Sequence, residues 1–181
     1  MAGNGASTTR IAAMLVAPLQ WRHAMAPFRL SGLDPTPFAP LFALPDAELA
    51  RRNMVRMFAD SDSGYPCRVS LEDAAIGDEL LLLPFEHLPE ASPYRSSGPV
   101  FVRRHAKQRV LAPGEVPPYV TRRMISLRVY DTTHRMIDAH VLEGPEVAAC
   151  MTQAFAHPHA AYMHLHNARR GCFSCRVDRA S

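Results

Sequence analysis

A chain of 181 residues with 48% hydrophobic and 20% charged residues has the length of one ordinary domain and enough apolar content for a core, which excludes a disordered tail or a low-complexity array. Its 20 basic and 17 acidic residues give a charge of +3, and two of the arginines, Arg10 and Arg22, lie in an acid-free leader, so the rest is close to neutral. Nucleic-acid binders carry a basic excess or stripe, so this chain is not read as one.

Residues 1–27 read as a disordered extension, or as an over-extended start with Met25 as the true initiator. A secretory reading would use Arg10, the apolar stretch 11–19 and Ala24-Met25-Ala26 as a cleavage site. The stretch is short and runs into Gln20, Trp21, Arg22 and His23, which argues against it. Neither residues 11–19 nor 80–84 approach the roughly 20 apolar residues of a membrane span. The expectation is one cytoplasmic domain over residues 28–181, with Cys67, Cys150, Cys172 and Cys175 as reduced thiols.

In chain order, Leu44-Pro45-Asp46 opens a helix with acids in its first turn, expected to run to about residue 58. Asp60-Ser61-Asp62-Ser63-Gly64 ends it. Short β-like runs follow at 67–71, 79–85, 100–103, 127–130 and 135–142, each bounded by turn residues. Residues 92–118 are proline-rich and read as long loops around one strand. Asp131-Thr132-Thr133-His134 turns the last two runs into a hairpin. Gly144-Pro145-Glu146 starts a helix with Val147, Cys150, Met151 and Phe155 on one stripe. The fold class is α+β, a mainly antiparallel sheet with two or three helices packed on it.

Residues 157–176 hold four of the nine histidines and two of the four cysteines. Strand alternation puts Tyr162, His164 and His166 on one face and Met163, Leu165 and Asn167 on the other. A three-residue loop, Arg169-Arg170-Gly171, would set Ala168 opposite Cys172, His166 opposite Ser174 and His164 opposite Arg176. Cys172, Ser174 and Arg176 then join the histidines, while Phe173, Cys175 and Val177 turn to the core with Met163 and Leu165. Cys172 and Cys175 point apart, which disfavours a redox pair.

This polar face admits three readings. His164, His166 and Cys172 can converge on a metal ion, zinc being the candidate, with Cys67 as a fourth ligand. Alternatively Cys172 is a nucleophile, His166 its base and Asp138 the group that orients the imidazole. The third reading is an ordinary polar sheet face. Tyr94-Arg95-Ser96-Ser97-Gly98 offers a guanidinium, two hydroxyls and backbone amides suited to a carboxylate or phosphate. Arg68 would add a second charge, and Asn167 a carboxamide.

Gly64-Tyr65-Pro66-Cys67-Arg68-Val69-Ser70-Leu71-Glu72-Asp73-Ala74, the stretch from Pro93 to Arg103 and the stretch from His164 to Cys172 resemble a family of uncharacterised bacterial proteins, catalogued as domain of unknown function number twelve hundred and three. Phe28-Arg29-Leu30-Ser31-Gly32-Leu33 resembles its opening. The resemblance covers about residues 28–179 and implies a small bacterial, cytoplasmic protein; it implies no activity. The functional expectation is therefore an enzyme using Cys172, His166, His164 and Asp138 on a small anionic substrate held by Arg95, Arg68, Ser96, Ser97 and Asn167. The alternative is a non-catalytic metal- or ligand-binding module, or a homodimeric interaction protein.

Overall fold

The computed structural model describes residues 28–180, and the expectations for residues 1–27 lie outside them. The strands form two five-stranded sheets rather than one. The first contains β1 (Phe28–Ser31), β7 (Met124–Tyr130), β8 (Met136–Glu143), β9 (Tyr162–Asn167) and β10 (Phe173–Arg179), in the order β1-β10-β9-β7-β8. The second contains β2 (Val55–Phe58), β3 (Pro66–Cys67), β4 (Glu72–Asp73), β5 (Glu79–Leu88) and β6 (Ser96–Arg103), in the order β2-β5-β6-β3-β4. All pairings are antiparallel except β3 with β6. The helices are short: α1 (Asp46–Arg51), α2 (Pro118–Thr121) and α3 (Val147–Phe155). The architecture is α+β and dominated by sheet. Among the described residues no helix is long and apolar enough to cross a membrane.

Two sequence expectations fail for backbone reasons. The helix expected to reach residue 58 stops at Arg51, because Asn53 adopts φ 58° and its neighbours close a Schellman motif, Asn53 N–H to Ala50 O and Met54 N–H to Leu49 O. The chain leaves extended and becomes β2. The run expected at 67–71 is a strand only through Cys67. Arg68–Leu71 is a turn closed by Leu71 N–H to Cys67 O, with Leu71 at φ 53°.

One face of the first sheet carries Leu127, Val129, Met163, Leu165, Cys175 and Val177, and α3 covers it with Val147, Met151 and Phe155. Val147, Met151 and Phe155 match the expected helical stripe, whereas Cys150 is only half buried. The opposite face, with His164 and His166, meets the second sheet. There Phe173 joins the core of Leu81, Leu83, Val100 and Val102, and Leu88 packs with Tyr130 and Tyr162.

The β9–β10 hairpin departs from the expected register. Asn167, not Ala168, faces Cys172: Asn167 N–H bonds Cys172 O, and Gly171, at φ 73°, bonds back to Asn167 O. This four-residue loop places Phe173, not Ser174, opposite His166. A β-bulge at Ser174 restores the phase, so Cys175 faces Leu165 and Arg176 faces His164 as expected. Phe173 therefore lies with the histidines instead of with Cys175.

Arg68 fixes the bulge. Beyond Ser31 strand β1 swings away from β10, because Gly32 passes so close to Val69 that any Cβ would collide with its carbonyl. Arg68, 2% exposed, fills the vacated side: its Nε donates to Phe173 O at 2.8 Å and its Nη1 to Pro66 O. Leaving two buried carbonyls without donors costs about 1–3 kcal/mol each. Arg68→Ala should therefore lower the unfolding free energy by about 2–5 kcal/mol in urea titrations. A loss below about 1 kcal/mol would show that Arg68 is not the tie between the sheets.

Candidate functional site

His164 and His166 are each 1% exposed and are joined by an imidazole the sequence reading missed, His87 on β5. Its ring lies 5.1 Å from that of His166 and 5.9 Å from that of His164, and it stacks on Phe173 at 5.1 Å. No local motif marks His87; only the packing of β5 across β9 brings it in. His166 Nδ1 donates to Gly171 O at 3.0 Å, and His87 Nε2 meets Ser96 Oγ at 3.0 Å. His87 Nδ1, His164 Nδ1 and His166 Nε2 are buried without a partner.

Burial above all holds these rings neutral. It pushes His164 down to about 2, helped by the other two imidazoles, Arg176 and Arg128. It pushes His166 down to about 3, with Arg128, His87 and Arg68 adding to the effect and the Gly171 bond opposing it. His87 moves down through burial and the charge of Arg128. At neutral pH His166 is therefore neutral, with its one N–H given to Gly171 O and no positive charge with which to favour a thiolate.

The expected metal set is not assembled. Among the described residues no group of three or more His, Cys, Asp or Glu side chains is placed to hold a metal ion. Cys67 is buried in the core of the second sheet, where its sulfur accepts the Arg103 N–H at 3.3 Å. Cys172 lies in the turn just before β10 and makes no hydrogen bond to an imidazole; its thiol is 3.7 Å from Arg170 O. The expected thiol, imidazole and carboxylate are likewise apart. Asp138 pairs with Val129, and Val129 with Met163, which puts Asp138 on the α3 side of the sheet, away from His166. Its carboxylate meets His140 at 3.0 Å.

The expected anion loop is also dispersed. Arg95 is exposed and paired with Glu86 at 2.6 Å, Ser96 serves His87, and Ser97 faces Glu86 across the β5–β6 ladder. Arg68 is committed to backbone carbonyls. Asn167 lines a cavity, about 310 Å³ in volume, with Pro66, Arg122, Arg169, Arg170 and Glu143 around it, whereas Ser97 lines a separate hollow beside Gly98 and Pro99.

Topology builds this cavity. Ile125 on β7 pairs with Asn167 on β9, so the residues before β7 meet those after β9. Arg122 and Arg123 thus come beside Arg169 and Arg170, and Ala168 N–H bonds Met124 O at 3.0 Å. Gly144 allows the end of β8 to touch Thr121, where any Cβ would clash, and this brings Glu143 to the rim. Arg123 is neutralised by Asp73 at 2.5 Å and lies over the Tyr119 ring. Arg122, Arg169 and Arg170 take part in no ion pair among the described residues. The Asn167 side chain also leaves its oxygen buried without a partner. Two arginine doublets 47 positions apart carried no joint signal in the sequence, since their meeting requires the β7–β9 pairing.

A family model described as protein of unknown function DUF1203 matches residues 64–179. The chain belongs to the DUF1203 family. The match begins at Gly64, on one wall of the cavity, and spans Arg122, Asn167, Arg169 and Arg170 on the others, so this DUF1203 domain contains the whole cavity. No curated protein and no solved structure matches the chain.

Two outcomes follow. A histidine with a lowered folded pKa contributes stability that is complete above its unfolded value, near 6.5, and is lost as pH falls toward the folded value. His164 and His166 should each cost about 2–3 kcal/mol by about pH 4.5, read from urea midpoints, and His164→Phe should shrink that loss by about half. An unchanged acid sensitivity in the variant would contradict this. Limiting iodoacetamide should label Cys172 first. Cys150 should follow, its thiol pushed up by burial and by Asp138 and Glu146. Cys67 and Cys175, each 1% exposed, should react only on unfolding, the latter with its thiol pushed up to about 12 by burial. Early labelling of Cys175, read by peptide mapping, would contradict the register.

Proposed function

We propose that this protein is a non-catalytic binding module for a small anionic molecule of the phosphomonoester or short dicarboxylate class, held in the cavity between the start of β7 and the β9–β10 turn. The observation that carries this reading is the convergence of Arg122, Arg169 and Arg170, none of them paired with a carboxylate among the described residues, on one cavity. Guanidinium forks suit the planar, bidentate recognition of carboxylate and phosphate oxygens. Three such charges against the single carboxylate of Glu143 leave a net charge of about +2, which a dianion complements. A volume near 310 Å³ lies at the small end of ligand pockets, which favours a metabolite over a nucleotide-sized molecule. Arg68 adds to the positive field, since its Nη1 binds the carbonyl of Pro66, a residue of the cavity wall.

The anionic ligand expected from the sequence is retained, with its site moved from Arg95 and Arg68 to the two arginine doublets. The binding reading ranks above the enzymatic one because the neutral, buried His166 and the separated Cys172 and Asp138 offer no activated nucleophile. A bacterial, cytoplasmic setting belongs to the same proposal, supported by four cysteines that are all free thiols.

Calorimetric titration with inorganic phosphate, glycerol phosphate and succinate tests this reading. Binding should weaken at least about tenfold in an Arg169→Gln, Arg170→Gln double variant, be unaffected by Arg95→Gln and fall as salt rises. The absence of binding by all three probes, or binding insensitive to the double variant, would refute it.

A further inference from the structure

We propose that β8 is a self-association edge, through which two copies of this chain pair antiparallel about Ala139 to join their first sheets. This inference does not rest on the proposed ligand, although Glu143, at the end of β8, also lines the cavity. Sheet edges present unpaired N–H and C=O groups, and proteins ordinarily shorten or cover them. Among the described residues the chain does so at every edge but one. The outer side of β1 is covered by residues 109–114, which bond it through Gly32 N–H to Arg109 O, Leu111 N–H to Leu30 O and Gly114 N–H to Phe28 O. In the second sheet the edge strands are only four residues long in β2 and two in β4. By contrast, β8 has eight residues, stands at the edge of the first sheet and is largely exposed, with Val141 at 68% and Ile137 at 38%.

The backbone at its centre is ready to pair outward. Ala139 N–H donates at 2.8 Å to its neighbour Asp138 Oδ1 rather than to β7, so this donor faces the open side and is closed only by a side chain that can swing away.

The occupant is argued from complementarity. With Ala139 on a two-fold axis, each Asp138 faces His140 of the partner subunit, Ile137 faces Val141, Met136 faces Leu142 and Arg135 faces Glu143. Acid thus meets imidazole or guanidinium, and apolar meets apolar, along the whole strand. Cross-strand pairs of these kinds stabilise a ladder, and like charges opposite one another weaken it. Centring on His140 instead would set His140 against its own copy and Asp138 against Leu142, losing the match. The extra residue Ile137 bulges from the β7–β8 ladder and twists that end, so the pairing is closest from Asp138 to His140. A two-fold contact of this kind is isologous, the commonest form of homodimer.

The test is the mass in solution of the full chain, by light scattering after size exclusion and by sedimentation, at about 1 to 100 μM. The expected result is a dimer that dissociates on dilution. Val141→Lys, at an exposed site, should weaken it at least about tenfold, as should Ala139→Pro, which removes the outward donor. Asp138→Lys should break the dimer and Asp138→Lys with His140→Glu should restore it, which a merely apolar association would not do. Circular dichroism verifies that each variant is folded, and Val141→Lys decides the matter if the proline variant is not. A monomer at the highest concentration, or a dimer that Val141→Lys leaves intact, would overturn the proposal.

Discussion

The hydrogen bond from Arg68 to the carbonyl of Phe173 is the interaction on which the rest of the arrangement depends. It spans 105 positions of sequence and joins the turn after β3 in one sheet to β10 in the other. Strand β10 has an edge to satisfy where β1 departs at Gly32, and the guanidinium of Arg68, with its fork of five donors, reaches two carbonyls there at once. With that bond in place the bulge at Ser174 has a fixed position, Phe173 turns toward the second sheet, and Cys175 turns into the α3 core.

A buried guanidinium with no carboxylate partner among the described residues also sets the electrostatics. Its charge acts on His166, on the Tyr119 hydroxyl and on the Cys175 thiol, and Arg128 acts on all three clustered imidazoles. The junction between the sheets is therefore buried and positive, which keeps the histidines neutral. Arg68 also holds the carbonyl of Pro66, a residue of the arginine-lined cavity wall. In the proposed reading these positive charges favour an anion there. One structural tie thus serves both the packing of the sheets and the character of the site beside them.

Much of the fold was legible locally. The alternation of Tyr162, His164 and His166 against Met163 and Leu165 gave the faces of β9, the Asp131 turn gave the β7–β8 hairpin, and proline after Gly144 gave the start of α3. Features needing a count of backbone hydrogen bonds were not legible. An odd loop and an even loop followed by a bulge both place Arg176 opposite His164, and only Phe173 distinguishes them. Asn53 and Leu71, both at positive φ, ended a helix and a strand that propensity would have continued. The arginines of the proposed anion site were not read together for a different reason. A loop rich in arginine and serine around Arg95 looks suitable by composition, but Glu86 neutralises it, while Arg122 and Arg170 become neighbours only through pairing between β7 and β9.

The central claim is that the two arginine doublets form one anion site, and nuclear magnetic resonance of the arginine Nε–H groups during titration with inorganic phosphate tests it most directly. The account predicts saturable shifts at Arg122, Arg169 and Arg170, with matching changes in the amides of residues 168–171, and none at Arg95 or Arg104, which carboxylates already hold. Shifts spread evenly over all exposed arginines, or confined to Arg95, would contradict it.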